Sequence, residues 1–372
     1  MTTPAGGPSA VLDLSRSAAL LTADLVDIES VSGDEARITD AVEAAARTHD
    51  RLEVRRLGNV VVVRTELGRP ERVVLAGHLD TVPIADNLPS RVADGRLHGC
   101  GTSDMKSGVA LQLRMLELVG TGALEPAVDL TWLFYDCEEV EASRNGLNRV
   151  AAEHPELLAA DLAILLEPTN GTVEGGCQGT MRAQLSTEGR RAHSARSWLG
   201  SNAIHLAAPI LQRLADYTAR QVQVEGLSYH EGLNAVFVEG GVAGNVIPDR
   251  CLVTVNYRFA PDRSEAEAEQ HLRSVFDGFE LTVLDSAPGA RPGLDRPLAR
   301  RAVAALGGEV AGKLGWTDVA RFSALGIPAL NFSPGDPNLA HRADESVELA
   351  QLERCERLLA GFLEHGSGAG TN

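Results

Sequence analysis

Arg72-Val73-Val74-Leu75-Ala76-Gly77-His78-Leu79-Asp80 is an apolar run that ends on an imidazole, with a carboxylate two residues later. An apolar run of this length reads as a buried strand, and a polar pair at its end lies where α/β sheets present their chemistry. Outward from it, Leu57-Gly58-Asn59 separates two short runs, 52–56 and 60–64, as a hairpin turn would. Earlier, Leu20, Leu21, Leu25 and Ile28 recur at helical spacing, and Ser32-Gly33-Asp34-Glu35 offers a fresh helix start, so two helices open the protein. Later come a loop to Gly101, a helix from about Asp104 to Val119, and apolar strands over 128–135 and 161–166. Strands alternating with helices predict an α/β fold: a mixed, largely parallel sheet flanked by helices.

After Glu167 the pattern changes. Gly171, Gly175, Gly176 and Gly179 punctuate the chain, and Pro288-Gly289-Ala290-Arg291-Pro292-Gly293 punctuates it again. Between them the sequence predicts strands at 181–187, 234–239 and 251–259, a long helix over 201–220 and another over 263–276. This is the pattern of an inserted α+β domain, with boundaries at 1–176, 177–290 and 291–372. The last part predicts helix 297–306, strand 327–332 and helix 347–362. No internal repeat is visible. The tail Gly366-Ser367-Gly368-Ala369-Gly370 imitates a serine-hydrolase elbow, but no strand precedes it, and a frayed end is expected there.

Composition removes several function classes. A chain of 372 residues, 44% hydrophobic, is long enough for two domains with cores of their own. Its net charge of -17 repels phosphate backbones and anionic lipid, and no basic cluster is interleaved with aromatics, so neither nucleic acid nor membrane is an expected partner. The start, Met1 to Ser15, lacks the basic-then-apolar pattern of a signal peptide, and no apolar stretch has spanning length; a soluble, cytoplasmic protein is expected. Five scattered cysteines without a C-x-x-C pair argue against a disulfide framework and a thiolate metal cluster, leaving buried reduced thiols.

The chemistry-bearing residues cluster at strand and loop ends. His78 and Asp80 alternate along an extended segment, so their side chains fall on the same side and Asp80 can accept a hydrogen bond from the imidazole and fix its tautomer. Asp104 follows Gly99-Cys100-Gly101-Thr102-Ser103; alone it also reads as a helix cap. Glu138 and Glu139 follow the apolar strand, and two adjacent carboxylates suit different tasks, one holding a metal and the other moving a proton. Glu167 ends a third apolar run, and His341 lies in a late polar loop where surface exposure is the ordinary expectation. Singly each is unremarkable. Jointly they place His and carboxylate at five strand or loop ends, more donors than one catalytic zinc needs, and they suit a pair of ions sharing a carboxylate.

These residues reach a recognisable pattern. Leu75 to Pro83, the Gly-Thr-Ser-Asp104-Met-Lys106-Ser-Gly segment, Glu138-Glu139, Leu166-Glu167-Pro168-Thr169 and Ala340-His341 together resemble the dinuclear zinc aminoacylase and exopeptidase family over nearly the whole chain. That family includes acetylornithine deacetylase, glutamate carboxypeptidase and succinyl-diaminopimelate desuccinylase. Closer similarity, to the actinobacterial desuccinylase branch, comes through Leu97-His98-Gly99-Cys100-Gly101-Thr102, Gly176-Cys177-Gln178-Gly179-Thr180, residues 191–198 and Gly315-Trp316-Thr317-Asp318-Val319.

The resemblance implies two Zn2+ per subunit, with Co2+ as a possible substitute. His78 and Glu167 would bind one ion, Glu139 and His341 the other, with Asp104 bridging; Asp80 would orient His78 and Glu138 would be the general base. It further implies a homodimer in which His193 reaches the other subunit's site to stabilise the oxyanion. Arg258 and Asn245, and beyond them Thr317 and Asn338, would bind an N-acyl amino acid substrate, Arg258 by holding a carboxylate bidentately. Cys100 and Cys137 depart from the usual pattern: many relatives have Arg at the first, and the second interrupts the customary Asp-Glu-Glu run. The expected activity is removal of succinate from N-succinyl-LL-2,6-diaminopimelate. Alternatives are an acetylornithine deacetylase or dipeptide hydrolase with the same ligands, or a silent metal-binding scaffold. A serine or cysteine hydrolase lacks the strand-to-helix elbow it would need.

Overall fold

The computed structural model describes residues 12–366. The chain divides into two compact units: the first runs to Gly175 and resumes over Gly293–Ala311 and from Arg321 onward, and the second comprises Gly176–Pro292 and Gly312–Ala320. The tail reading, apart from Gly366, and residues 1–11 of the N-terminal reading lie outside the described residues.

The first unit is built on an eight-stranded mixed sheet in the order Glu53–Leu57, Val60–Arg64, Asp129–Tyr135, Arg72–His78, Leu162–Leu165, Ala329–Asn331, Val173–Gly175, Val310–Gly312. Its centre is parallel: Arg72–His78 pairs in parallel with Asp129–Tyr135 on one side and with Leu162–Leu165 on the other, and Ala329–Asn331 continues the series. Every residue of Asp129–Tyr135 is buried, which is why these strands read as continuous apolar runs instead of alternating ones. Because the three central strands run the same way, their C-terminal ends lie along one edge of the sheet. His78, the loop after Tyr135 and the loop after Leu165 therefore emerge side by side.

The helix Lys106–Gly120 packs one face against this sheet, together with Ala18–Val26, Ala36–Ala46 and Leu349–His365. It approaches closely at Gly108, where an added Cβ would lie 2.2 Å from the carbonyl oxygen of Leu166. That small residue lets the helix reach the strand end beside Glu167.

The second unit holds a four-stranded antiparallel sheet, Gly232–Gly240, Arg250–Phe259, Gly179–Glu188, Glu280–Ala287, packed against Ala203–Leu206, Ala208–Ala215 and Glu265–Val275. Glu265–Val275 starts with a capping box between Ser264 and Glu267.

Several elements differ from the sequence expectation. The long helix at 201–220 is two short helices with Pro209 at the start of the second, where a residue without N–H is tolerated only in the first turn. The loop before Gly101 contains a small hairpin, Arg91–Ala93 with Arg96–His98, to which Ser346–Glu348 adds a third strand. The last helix accordingly starts at Leu349. Residues 312–320, which the sequence reading put in the C-terminal part, belong to the second unit: the Gln178 N–H donates to the Lys313 carbonyl, and Gly312 abuts Ser228 and Tyr229. All five cysteines are free and buried.

Candidate metal centre

Four of the five expected ligands converge at the edge where the parallel strands end. His78 Nε2 lies 3.2 Å from Asp104 Oδ1, and His341 Nε2 lies 3.4 Å from Asp104 Oδ2 and 2.9 Å from Glu139 Oε1. One donor atom each from His78, Asp104 and Glu139 fall within 4.8 Å of one another. Asp104 thus has one oxygen toward each histidine, which is the geometry of a shared carboxylate. Glu167, buried after Leu162–Leu165, is near enough for its charge to act on His78.

The electrostatics of the cluster favour positive charge. Burial opposes protonation of His78, yet Asp104, Asp80 and Glu167 outweigh it and raise its pKa well above that of a free imidazole. His341 is raised to about 10 by Asp104 and Glu139. Asp104, despite burial that works the other way, is held below the ordinary carboxylate range by the two histidines. Imidazole and carboxylate donors without thiolate, in a field that attracts cations, fit a pair of borderline-to-hard divalent ions.

Asp104 is not a helix cap. The N-cap of Lys106–Gly120 is Met105, without a side-chain hydrogen bond, and the Asp104 carboxylate is turned to the histidines instead. Asp80 faces His78 through two groups. Its backbone carbonyl faces His78 Nδ1 at 3.0 Å, while its carboxylate is 3.5 Å from that atom. The strand ends at His78, so the two-residue alternation does not carry on to Asp80. Its carboxylate oxygens also accept from the backbone N–H of Glu138 at 3.0 Å, that of Glu139 at 3.1 Å, and the Ser32 hydroxyl at 2.6 Å. Burial disfavours its charge, but His78, Ser32 and these amides bring its pKa down to about 2. Asp80 therefore anchors the backbone of both acidic residues, and Glu138 is half-buried beside it.

Cys137, between Asp136 and Glu138, has φ of 56° and engages Glu35: its N–H and its thiol each lie 3.3 Å from Glu35 Oε1. Burial and Glu35 push the thiol up to about 12, so it stays protonated. Asp136 pairs with Arg149 at 2.6 Å. The Cys100 thiol points to the Val82 carbonyl at 3.7 Å, and burial raises its pKa.

Of the other expected residues, Asn338 is exposed in the first unit, its backbone and side-chain nitrogens both donating to Asp336 Oδ1 at 2.8 Å. In the second unit, Ala192–His193 pairs with Val246–Ile247, and Ser194 N donates to the Asn245 carbonyl at 2.9 Å, so exposed His193 and Asn245 share one small ribbon. His193 Nδ1 accepts from Ala195 N at 3.0 Å. Half-buried Arg258 donates to Asn256 Oδ1 at 3.2 Å, and Thr317 is buried.

One residue with a clear place at the site carries no signal in the sequence. Glu345, four residues after His341, is buried and accepts backbone N–H groups from Ser103 at 2.7 Å, Asp104 at 3.0 Å and Gly101 at 3.0 Å. Burial raises its pKa to about 7 against those three donors.

Residues 74–365 match the model of peptidase family M20/M25/M40, a span that contains every residue of the cluster. The chain belongs to peptidase family M20/M25/M40. Among its M20 relatives, a Mycobacterium tuberculosis protein provisionally named succinyl-diaminopimelate desuccinylase is 56% identical over 356 residues, 95% of this chain and 99% of the relative. The succinyl-diaminopimelate desuccinylase of Corynebacterium glutamicum is 50% identical over 360 residues, 95% and 97% of the two chains. In fold, the chain is similar to a Staphylococcus aureus tripeptidase, with a TM-score of 0.78 at 21% identity, covering 96% of this chain and 99% of that one. As an M20 chain it is a hydrolase, and its mixed, largely parallel sheet flanked by helices, expected from the sequence, is similar to that of the solved tripeptidase. No helix among the described residues is long and apolar enough to cross a membrane.

Proposed function

We propose that this protein hydrolyses N-succinyl-LL-2,6-diaminopimelate to succinate and LL-2,6-diaminopimelate in lysine and diaminopimelate biosynthesis, as a cytoplasmic homodimer carrying two Zn2+ per subunit. The observation that carries the hydrolytic part is the convergence of His78, Asp104, Glu139 and His341 where the parallel strands end. The substrate is supported by the two relatives that bear the desuccinylase name across nearly their whole lengths.

In this reading His78 and Glu167 would hold one ion and Glu139 and His341 the other, with Asp104 shared between them; Co2+ would serve the same donors. A pair of divalent ions supplies Lewis-acid polarisation of the amide carbonyl and neutralises developing charge. The remaining steps belong to the chain. Glu138, its backbone fixed by Asp80, takes a proton from the attacking water as the new C–O bond forms, then delivers it to the amine nitrogen as the C–N bond breaks. Arg258 and Asn245, with Thr317 and Asn338, bind the substrate's carboxylates and amide, and His193 of a second copy donates to the oxyanion.

The inserted unit, in this proposal, is both lid and dimerisation unit. Its edge strand Gly232–Gly240 supports that, since Val236, Phe237 and Val238 are exposed along a sheet edge that is unpaired among the described residues, with Val242 just beyond. Soluble chains rarely leave such an edge bare, and a second copy would cover it. The experiment that tests the function is a comparison of turnover on the succinylated diaminopimelate, acetylornithine and dipeptides. A kcat/KM for the succinylated substrate at least tenfold above the others supports the proposal; preference for either rival overturns the substrate assignment.

A further inference from the structure

We propose that Glu345 is a positioning residue that holds Asp104 between its two histidines and thereby sets the affinity of the His341 side of the centre for its ion. This rests on the two-ion reading above. Glu345 is buried at the start of Ser346–Glu348, the strand that pairs with Arg96–His98. Its Oε1 accepts from both Ser103 N and Asp104 N, and its Oε2 from Gly101 N. Three backbone donors on one carboxylate are strong, directional anchors that leave the 101–104 segment little freedom. The neighbouring chain adds to the clamp: Gly99 N donates to the Glu345 carbonyl and the Ser103 hydroxyl to the Ser346 carbonyl, both at 3.2 Å.

With the Asp104 nitrogen fixed, only its two side-chain torsions separate the backbone from the oxygens that face His78 and His341. Glu345 also closes the loop that carries His341, its own N–H donating to the Arg342 carbonyl at 3.1 Å. The same residue therefore ties together the shared carboxylate and a histidine on the far side of the sequence. His78 and Glu167 depend instead on the sheet itself, through Arg72–His78 and Leu162–Leu165. Loss of Glu345 should accordingly be felt unequally by the two ions.

The test is calorimetric titration of chelator-stripped full-length protein with Zn2+, for wild type, Glu345→Gln, Glu345→Ala and the control Glu348→Gln, an exposed carboxylate of the same strand that pairs with Arg96. Melting temperature and amide hydrogen exchange across residues 99–105 are measured on the same metal-free samples. Partners behind a ligand change metal affinity by about 10–100-fold, and a loss of that size is expected for the weaker ion in Glu345→Ala. Glu345→Gln, which keeps one acceptor oxygen, should lose less, the tighter ion should be little changed, and exchange at 101, 103 and 104 should quicken. Unchanged affinity for both ions in folded variants would overturn the proposal, as would parallel weakening of both ions that follows melting temperature. Should Glu345→Ala not fold, Glu345→Gln decides. A wild type that takes up fewer than two ions would refute the two-ion reading itself, a result distinct from unchanged variants.

Discussion

Replacing Asp80 with Asn tests how the acidic pair is held. The carboxylate takes up Glu138 N, Glu139 N and the Ser32 hydroxyl while facing His78, and its pKa is lowered from 3.8 to about 2. That preference for the charged form in the folded state is worth about 2 kcal/mol. Because the folded pKa is depressed, this stabilisation is complete above the unfolded value near 4 and is lost as pH falls through about 2. Asn keeps the size but turns an NH2 toward a backbone N–H, so one of the two anchored amides loses its acceptor. We therefore expect Asp80→Asn to lose about 2–3 kcal/mol in urea denaturation near neutral pH, with the gap narrowing below about pH 4. The fluorescence of buried Trp132, in the central strand of the same unit, reports this transition. Activity should fall by about 10–100-fold, the range for groups that orient reacting residues. A variant within about 0.5 kcal/mol and threefold of wild type would refute Asp80 as the anchor of Glu138 and Glu139.

Other outcomes follow from the same geometry. Glu138→Gln should bind Zn2+ as wild type does yet lose at least about 10²-fold in kcat, measured by steady-state turnover; near-normal turnover would remove Glu138 as the base. Gly108→Ala would place a methyl 2.2 Å from the Leu166 carbonyl oxygen, so a stability loss of about 1–3 kcal/mol is expected, and a melting temperature equal to wild type would contradict that packing. Mixing His193→Ala with a His78→Ala partner should recover activity through hybrid dimers; no recovery despite demonstrated subunit exchange would count against His193 acting across subunits.

What the sequence revealed and what it hid have physical reasons. His78, Glu139 and Glu167 were legible because each closes or follows an apolar run, and a parallel sheet gathers such ends on one edge. The hairpin at 91–98 leaves no readable hydrophobic period because its strands are only three residues long; only Asp94-Gly95, both with positive φ, marks its turn. The 201–220 segment read as one helix from its apolar spacing, whereas Pro209 divides it. Asp80 meets His78 as its place in the sequence suggests, but its hold on the Glu138 and Glu139 amides has no local signature. Glu345 had no local signal at all, since its partners are backbone amides some 241 to 244 positions away. Side-chain chemistry at strand ends is visible in a sequence, but a carboxylate that acts by holding backbone is not.

A two-ion amide hydrolase is tested most directly by metal analysis coupled to one assay. Purified protein should contain two divalent ions per chain, lose desuccinylation of N-succinyl-LL-2,6-diaminopimelate on chelation, and regain it with Zn2+ or Co2+. Full activity in protein stripped of both ions would contradict the account.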